Sequence, residues 1–183
     1  MKKITVALIS TILIAMLISS CGGKKDEEVN KDITLPQIDP VSLLPANDVY
    51  TALDYAYVPE VDDGVIVNEG NTSTAVYVSN PKGEHDSVEI SVTQKTDAIS
   101  ADTVKAYYNE SMQKRADAML VSNLGEIAYI AYPSIYVYDT GCIIKITAGS
   151  GADTNQQNLL INLATIAVAN LDELIAQAGA KKE

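Results

Sequence analysis

The chain has 183 residues, of which 47% are hydrophobic and 20% charged, and its formal net charge is −11 at pH 7. Nucleic-acid binding needs clustered lysines and arginines; Arg115 is the only arginine, so no nucleic-acid partner is expected. One histidine and two cysteines are too few for the several His or Cys ligands of a zinc site, and we expect no metal and no cofactor.

The first 20 residues have the three parts of an export signal. Lys2 and Lys3 form a positive start, residues 4–17 form an apolar middle, and small residues precede Cys21. The apolar part is shorter than the about 20 residues that a membrane-spanning helix needs. The pattern resembles a bacterial lipoprotein signal, which predicts a signal peptide over 1–20 and a lipidated Cys21 that carries fatty acyl chains such as palmitate.

The region after Cys21 predicts a tether and one domain. Residues 21–40 are rich in charged residues and poor in apolar ones, which is typical of a flexible spacer, and residues 41–180 form the predicted domain. Without Lys2 and Lys3 the chain has 11 basic and 24 acidic residues, so anchoring must rest on acyl chains, at about 0.8 kcal/mol per buried methylene. Cys142 is then the only thiol in the domain, and we expect it to pack as a small apolar residue.

The predicted elements alternate between short strands and helices. A helix is expected over residues 46–57, where apolar residues recur at helical spacing, and it ends before Pro59. Strands follow at 65–67, 74–79 and 87–93, and the last alternates cleanly, with Val88, Ile90 and Val92 on one face.

A second group of strands and two helices complete the domain. Ser100 can cap a helix over 101–117, strands are expected at 119–122, 127–132, 134–139 and 142–148, and a long apolar-faced helix covers 155–178. These elements predict an α+β fold, with an antiparallel sheet of about six to seven strands and helices packed mainly on one face.

Motifs for catalysis or ion binding are weak. His85 sits among charged neighbours and is expected to be solvated. The oxygen-rich stretch at 62–71, with Asp62, Asp63 and Glu69, suits calcium chemically but lacks the spacing of an EF-hand loop, so an ordinary solvated turn is the alternative. Gly149-Ser150-Gly151 lacks the Gly-Lys-Ser/Thr of a phosphate loop and predicts a strand-to-helix connection.

Ten tyrosines with no Phe or Trp suggest a ligand face. If Val76 and Val78 face the core, Tyr77 points outward, and by the same alternation Tyr136 and Tyr138 point away from Ile135 and Val137. Together with Ser91 and Thr93 they would form a hydroxyl-rich, half-apolar surface for a sugar, a peptide or another protein. The alternative is that tyrosine replaces Phe at the rim of the core.

Two short motifs resemble those of small Gram-positive lipoproteins of unknown function. They are Asp39-Pro40-Val41-Ser42-Leu43-Leu44 and the turn Leu124-Gly125-Glu126-Ile127-Ala128, which is similar to the Leu-Gly-Asp-x-Ala turn of those proteins. Many members have a cysteine at the position of Val41, so a disulfide typical of them is absent here. The resemblance implies an α+β fold and an envelope location, and it implies no catalytic residues.

Three functions remain open at this point. The first is a non-enzymatic, lipid-anchored extracytoplasmic domain that binds an envelope protein or a small ligand. The second is a small-molecule carrier or sensor subunit that uses the tyrosine-bearing face, and the third is an envelope hydrolase with paired carboxylates. The predicted location is the outer side of the cell membrane, or an outer membrane if the host has one, because Gly22 replaces the aspartate associated with inner-membrane retention.

Overall fold

The computed structural model describes residues 36–55, 57–59, 67–80, 85–150 and 152–180. Cys21, the predicted signal peptide, Asp62 and Asp63 lie outside these residues. The helices are α1 (Pro40–Leu43), α2 (Ala46–Leu53), α3 (Ala101–Gln113) and α4 (Thr154–Ala180). The strands are β1 (Tyr57–Pro59), β2 (Val67–Glu69), β3 (Thr72–Ser79), β4 (Val88–Gln94), β5 (Met119–Val121), β6 (Ile127–Ala131), β7 (Ser134–Asp139) and β8 (Cys142–Ala148).

All eight strands belong to one antiparallel sheet. Its order is β1-β3-β4-β8-β7-β6-β5, and β2 pairs with a separate part of the same edge of β3 that β1 uses. The α+β class and the antiparallel sheet are confirmed. The sheet has one or two strands more than predicted, and one of them is β1, which forms where the predicted helix was expected to end.

One face of the sheet, which we call the core face, is apolar and covered. It carries Val88, Ile90 and Val92 of β4, which lie opposite Ala148, Ile146 and Ile144 of β8. Helices α1, α2 and α4 pack against it, and the cluster includes Leu43, Leu44, Leu160 and Leu163, all fully buried. Burial of these side chains is the main stabilising term of the domain.

Helix α4 is a core helix. By length and composition it is the one described helix that could cross a membrane. However, Leu160, Leu163 and Leu171 are fully buried against the rest of the domain, while its solvent side carries Asn158 and Asn162. A helix with one apolar and one polar side is typical of a helix that packs on a sheet in water.

The opposite face, which we call the open face, is only partly covered. Helix α3 packs over β6, β7 and β8 there, through Val104 and Tyr108 on the helix and Tyr129, Tyr138 and Ile143 on the sheet. Of the helices that the structure describes, three therefore lie on one face and one on the other, and none of these four covers β3 or most of β4 on the open face. At the far end of the sheet, β5 forms a three-residue outer strand whose Leu120 is 74% exposed.

The predicted helix over 46–57 is too long. It ends at Leu53 because Asp54 adopts a left-handed conformation with φ 54°, which the right-handed helix cannot continue through. The predicted helix over 101–117 likewise ends earlier, at Gln113.

The folded domain starts before residue 41. Ile38 is 5% exposed, and its backbone N–H donates to Oε1 of Gln94 at 2.7 Å. Nε2 of Gln94 donates back to the carbonyl of Pro36 at 3.2 Å. The buried amide of Gln94 therefore fixes the segment 36–38 from both sides, and residues 36–40, predicted as tether, belong to the domain.

Gly125 lies at a turn that no other residue fits well. Its φ is 56°, and a Cβ atom there would lie 2.6 Å from Cγ1 of Val137. The next residue, Glu126, donates its N–H to the carbonyl of Tyr138 at 3.1 Å. The glycine of the lipoprotein-like turn is therefore required because the turn packs directly on β7.

Candidate functional site

Hydroxyl pairs lie on the part of the open face that α3 leaves uncovered, which also carries Val76, Val78 and the Glu89–Lys145 ion pair. Thr72 and Thr74 on β3 lie opposite Thr93 and Ser91 on β4. Their side-chain oxygens form two cross-strand pairs, Thr72 with Thr93 and Thr74 with Ser91, each at 2.8 Å. The strand alternation that buries Val88, Ile90 and Val92 forces these hydroxyls onto the other side.

A groove forms where this hydroxyl-bearing surface meets helix α3. It has a volume of about 310 Å³ and is lined by Asn71, Thr72, Thr93, Ile99, Thr103, Val104 and Tyr107. We call this cavity the α3 groove. Its floor is the sheet, one wall is the helix, and the loop that leads into the helix closes one end. None of the lining residues carries a formal charge.

Helix α3 is fixed in position by its cap and by Tyr108. Ser100 caps the helix by accepting the N–H of Thr103 at 3.2 Å. The hydroxyl of the buried Tyr108 lies within bonding distance of two sheet carbonyls, those of Ile127 at 3.0 Å and Tyr136 at 3.3 Å. These contacts hold the wall of the α3 groove against the sheet.

Tyr107 precedes the buried Tyr108 in the helix, and its side chain points toward solvent. Its side chain is 61% exposed, although the helix that carries it is anchored by Val104 and Tyr108. An aromatic ring of this size gains free energy when it is covered. The fold therefore holds an uncovered ring at the edge of the α3 groove.

Asn71 is held by two bonds to Gln94. The side-chain Nδ2 of Asn71 donates to the carbonyl of Gln94 at 3.0 Å, and the N–H of Gln94 donates to the carbonyl of Asn71 at 3.0 Å. Gly70, with φ 65°, makes the turn that brings Asn71 there. A second cavity of about 250 Å³, lined by Gln37, Gly70, Asn71, Gln94, Lys95, Thr96 and Asp97, adjoins the first at Asn71.

The structure places some of the residues predicted for one ligand face on the same side of the sheet and others elsewhere. Ser91 and Thr93 lie half-buried on the open face, as expected. Tyr136 is also half-buried there, stacked on Tyr129 with a centroid distance of 4.7 Å. Tyr138 points to the same side but is 3% exposed, because α3 covers it.

The expected outward orientation of Tyr77 is wrong. It is fully buried on the core face, where its hydroxyl donates to the carbonyl of Leu44. On β3 the small residues Ser73, Ala75 and Ser79 share the core face with Tyr77, and Val76 and Val78 lie on the other side. Burial raises the pKa of the Tyr77 phenol. The three predicted tyrosines do not form one surface.

Among the described carboxyl groups, Asp139 has a raised pKa, whereas ion pairs with Lys114 and Arg115 lower the pKa values of Glu110 and Asp117. Asp139 is half-buried at the end of β7, and burial raises the pKa of its carboxyl, while the hydroxyl of Thr140, 2.8 Å from Oδ1, opposes that shift. Neither of the two cavities above is lined by a pair of carboxylates, which the hydrolase hypothesis requires. Among the described residues no group of three His, Cys, Asp or Glu side chains could hold a metal ion.

Three other features singled out in the sequence are Cys142, His85 and the segment before α4, and the structure shows what surrounds each of them. Cys142 is fully buried, and burial raises the pKa of its thiol to about 12, so it packs as predicted. His85 is exposed, with its ring 3.9 Å from that of Tyr55. At the start of α4, Oδ1 of Asp153 accepts the N–H of Gln156 at 2.9 Å, so a carboxylate of the chain itself occupies the position a phosphate would take.

Of the seven residues that line the α3 groove, Thr93 alone belongs to the predicted ligand face. Among the residues that were missed, Thr103 and Tyr107 lie on α3, whose Val104 and Tyr108 are buried against the sheet. Neighbouring helical positions point in different directions, so an aromatic residue next to a narrow buried stripe is directed to the margin of that stripe. That position of Tyr107 was the signal available in the sequence.

No family model, curated protein or solved structure matches this chain significantly. The function must therefore be inferred from the residues themselves.

Proposed function

We propose that this chain is a lipid-anchored, non-enzymatic binding domain on the outer side of a bacterial membrane. The observation that carries the binding part is the uncharged α3 groove, with its fixed polar groups and one uncovered aromatic ring. Binding sites are typically concave and combine apolar surface with a few placed polar groups. The anchoring part rests on the signal pattern that ends at Cys21 and on the resemblance to small lipoproteins.

The surroundings of the two cysteines favour different fates for them. Cys142 is fully buried in β8, and its pKa is raised, so its thiol is poorly placed for any modification. Cys21 follows the apolar segment and small residues that lipoprotein signals share. In this proposal Cys21 alone carries lipid.

The anchor is tested by replacing each cysteine in turn. The full-length chain is expressed in a bacterial host with radiolabelled palmitate, and the product is partitioned between water and detergent. The wild type and Cys142→Ser should take up label and enter the detergent phase, while Cys21→Ser should do neither. If Cys21→Ser takes up label and enters the detergent phase as the wild type does, the proposed lipid anchor at Cys21 is wrong.

The tether limits where the domain can work. The 15 residue steps from Cys21 to Pro36 span at most about 50 Å when fully extended. In this proposal the α3 groove therefore samples only the layer next to the membrane, and its ligand is a molecule of the cell envelope. The formal charge of the domain is negative, so anionic lipid headgroups are disfavoured as that ligand.

A further inference from the structure

The lining of the α3 groove gives the chemical class of its ligand. All seven lining residues are uncharged, so no group in the wall would compensate a charge on a bound molecule. Transfer of a charged group into such a site costs free energy that only a partner charge or many hydrogen bonds can offset. The groove chemistry therefore favours a neutral ligand.

The polar groups in the groove suit a ligand rich in hydroxyls. In the pair formed by Thr72 and Thr93, one hydroxyl donates a hydrogen bond to the oxygen of the other. The acceptor hydroxyl then still has its own proton to donate, and both oxygens keep lone pairs. Thr103 forms the same kind of pair with Ser100 at 2.9 Å. Each pair can therefore donate a hydrogen bond to a ligand and accept one from it. The alcohol groups of a ligand also donate and accept hydrogen bonds, so they are suitable partners.

Asn71 adds a polar group whose orientation is fixed. Its nitrogen is held by the carbonyl of Gln94 at 3.0 Å, and fixing the nitrogen of a planar amide fixes its oxygen as well. A pre-oriented acceptor loses little conformational entropy when a ligand binds. Asn71 therefore contributes directional recognition to the groove.

Tyr107 supplies a platform for an apolar ring face. Its ring is 61% exposed on a helix that is anchored to the sheet. The face of an aromatic ring is electron-rich and attracts the weakly positive C–H groups of a saturated ring. A sugar ring has such a C–H face and carries hydroxyls around its edge, which is the combination that Tyr107 and the threonine pairs require.

A bound peptide strand is disfavoured by the sheet itself. Peptides that add to a sheet pair with the free backbone groups of an edge strand. The floor of the groove is made by β3, which is paired with β1 and β2 on one side and β4 on the other, and by β4, which is paired with β3 and β8. Neither strand has an open edge at the groove.

From these observations we propose that the α3 groove binds a neutral saccharide, with Tyr107 stacked on a sugar ring and the Thr72–Thr93 pair bonded to its hydroxyls. The volume of about 310 Å³ is at the lower end of the about 300–1,000 Å³ typical of ligand pockets, so the unit recognised is small. This inference rests on the binding function proposed above and gives it a ligand class.

The test uses the full mature, lipidated protein in a zwitterionic detergent that contains no sugar. Its ¹⁵N-labelled amides are followed during titration with diacetylchitobiose, maltose or cellobiose as neutral disaccharides. Glucose 6-phosphate and adenosine serve as charged and non-saccharide comparisons. At least one neutral disaccharide should produce saturable shifts at Asn71, Thr72, Thr93 and Thr103, and it should bind more tightly than both comparison compounds.

Variants then test the assigned contacts. Tyr107→Ala should weaken binding about tenfold or more because the stacking surface is lost, while Tyr107→Phe should stay within about threefold because it keeps the ring. Thr93→Val should weaken binding about 2- to 12-fold. Tyr50, which is 49% exposed and does not line the groove, provides the matched control Tyr50→Ala, with no expected change.

The saccharide proposal is overturned if none of the three disaccharides gives saturable shifts up to about 10 mM, or if adenosine or the phosphorylated sugar binds better. It is also overturned if Tyr107→Ala binds as the wild type does. The radiolabelling and partitioning of Cys21→Ser do not depend on any of these outcomes, so failure of the ligand class is distinguishable from failure of the lipid anchor.

Discussion

The two faces of the sheet come from the same strands, yet they differ in both chemistry and cover. The core face carries Ile and Val side chains and is packed beneath α1, α2 and α4. The open face carries paired hydroxyls and tyrosines, and only α3 lies on it. The comparison teaches that in this domain stability depends mainly on the core face, while the open face keeps half-buried polar side chains in contact with solvent.

The largest expected contrast is between Ile144→Ala and Thr74→Ala. Ile144 is fully buried on the core face, so its truncation should lower the free energy of unfolding by about 2–5 kcal/mol through lost burial and a cavity. Thr74 is half-buried on the open face, and its truncation should cost about 0.5–1.5 kcal/mol. Urea unfolding monitored by circular dichroism measures both, and equal losses would contradict the division between the faces.

A second contrast uses two tyrosines on opposite faces. Tyr77→Phe removes the buried hydroxyl that bonds the carbonyl of Leu44 and should lower the free energy of unfolding by about 1–3 kcal/mol, because that carbonyl loses its partner. Tyr136→Phe, at a half-buried position on the open face, should change it by less than about 0.5 kcal/mol. The reverse order of effects in urea unfolding would show that our assignment of the two faces is wrong.

The hydroxyl pairs themselves should contribute a smaller term. In a double-mutant cycle with Thr74→Val and Ser91→Ala, the coupling free energy should be about 0.2–1 kcal/mol, as for other cross-strand pairs. The control cycle combines Thr74→Val with Thr147→Val. Thr147 pairs instead with Ser134, at 2.8 Å, so that cycle should be additive within about 0.5 kcal/mol. Coupling of the same size in both cycles would show that the coupling does not come from the hydrogen bond between Thr74 and Ser91.

The smallest effect at neutral pH is expected for Tyr129→Phe, which keeps the ring. Burial, with Tyr136 nearby, raises the pKa of Tyr129 to about 12. Since the unfolded phenol ionises near pH 10, the native state holds its proton more tightly. The resulting stability is fully present below about pH 10 and is lost as the pH rises through about 12.

Urea unfolding between pH 8 and pH 12 tests this pH dependence. Wild-type stability should fall more steeply above pH 10 than that of Tyr129→Phe, although Tyr77 and Tyr108, whose pKa values burial also raises, remain in both proteins. Parallel curves for the two proteins would show that the ionisation of Tyr129 is not linked to folding.

Strand alternation predicted one strand well and another in the wrong phase. On β4 the apolar and polar residues separate cleanly, so the positions of Ser91 and Thr93 followed from the sequence. On β3 both phases contain apolar residues, and Val76 and Val78 are on the open face while Ala75 and Tyr77 are in the core. When both phases are apolar, the pairing of the strand decides its orientation, and that information is not local.

Burial by elements that are distant in sequence could also not be predicted from local sequence patterns. Alternation placed Tyr138 on the correct face, but its burial comes from α3, which is more than 20 residues away in sequence. Residues 36–40 looked like tether because of their composition, whereas the contacts that order them come from Gln94. The α3 groove combines β3, β4 and a helix, so neither its existence nor the role of Tyr107 could be read from any single segment.

The brevity of β5 has a consequence for neighbouring copies of this chain. An open strand edge invites neighbouring copies of a chain to join their sheets. β5 offers only the three residues Met119–Val121 for such a contact, although its Leu120 side chain is 74% exposed. So short an edge gives a neighbouring copy few backbone groups to pair with, which disfavours edge-to-edge association at this end of the sheet.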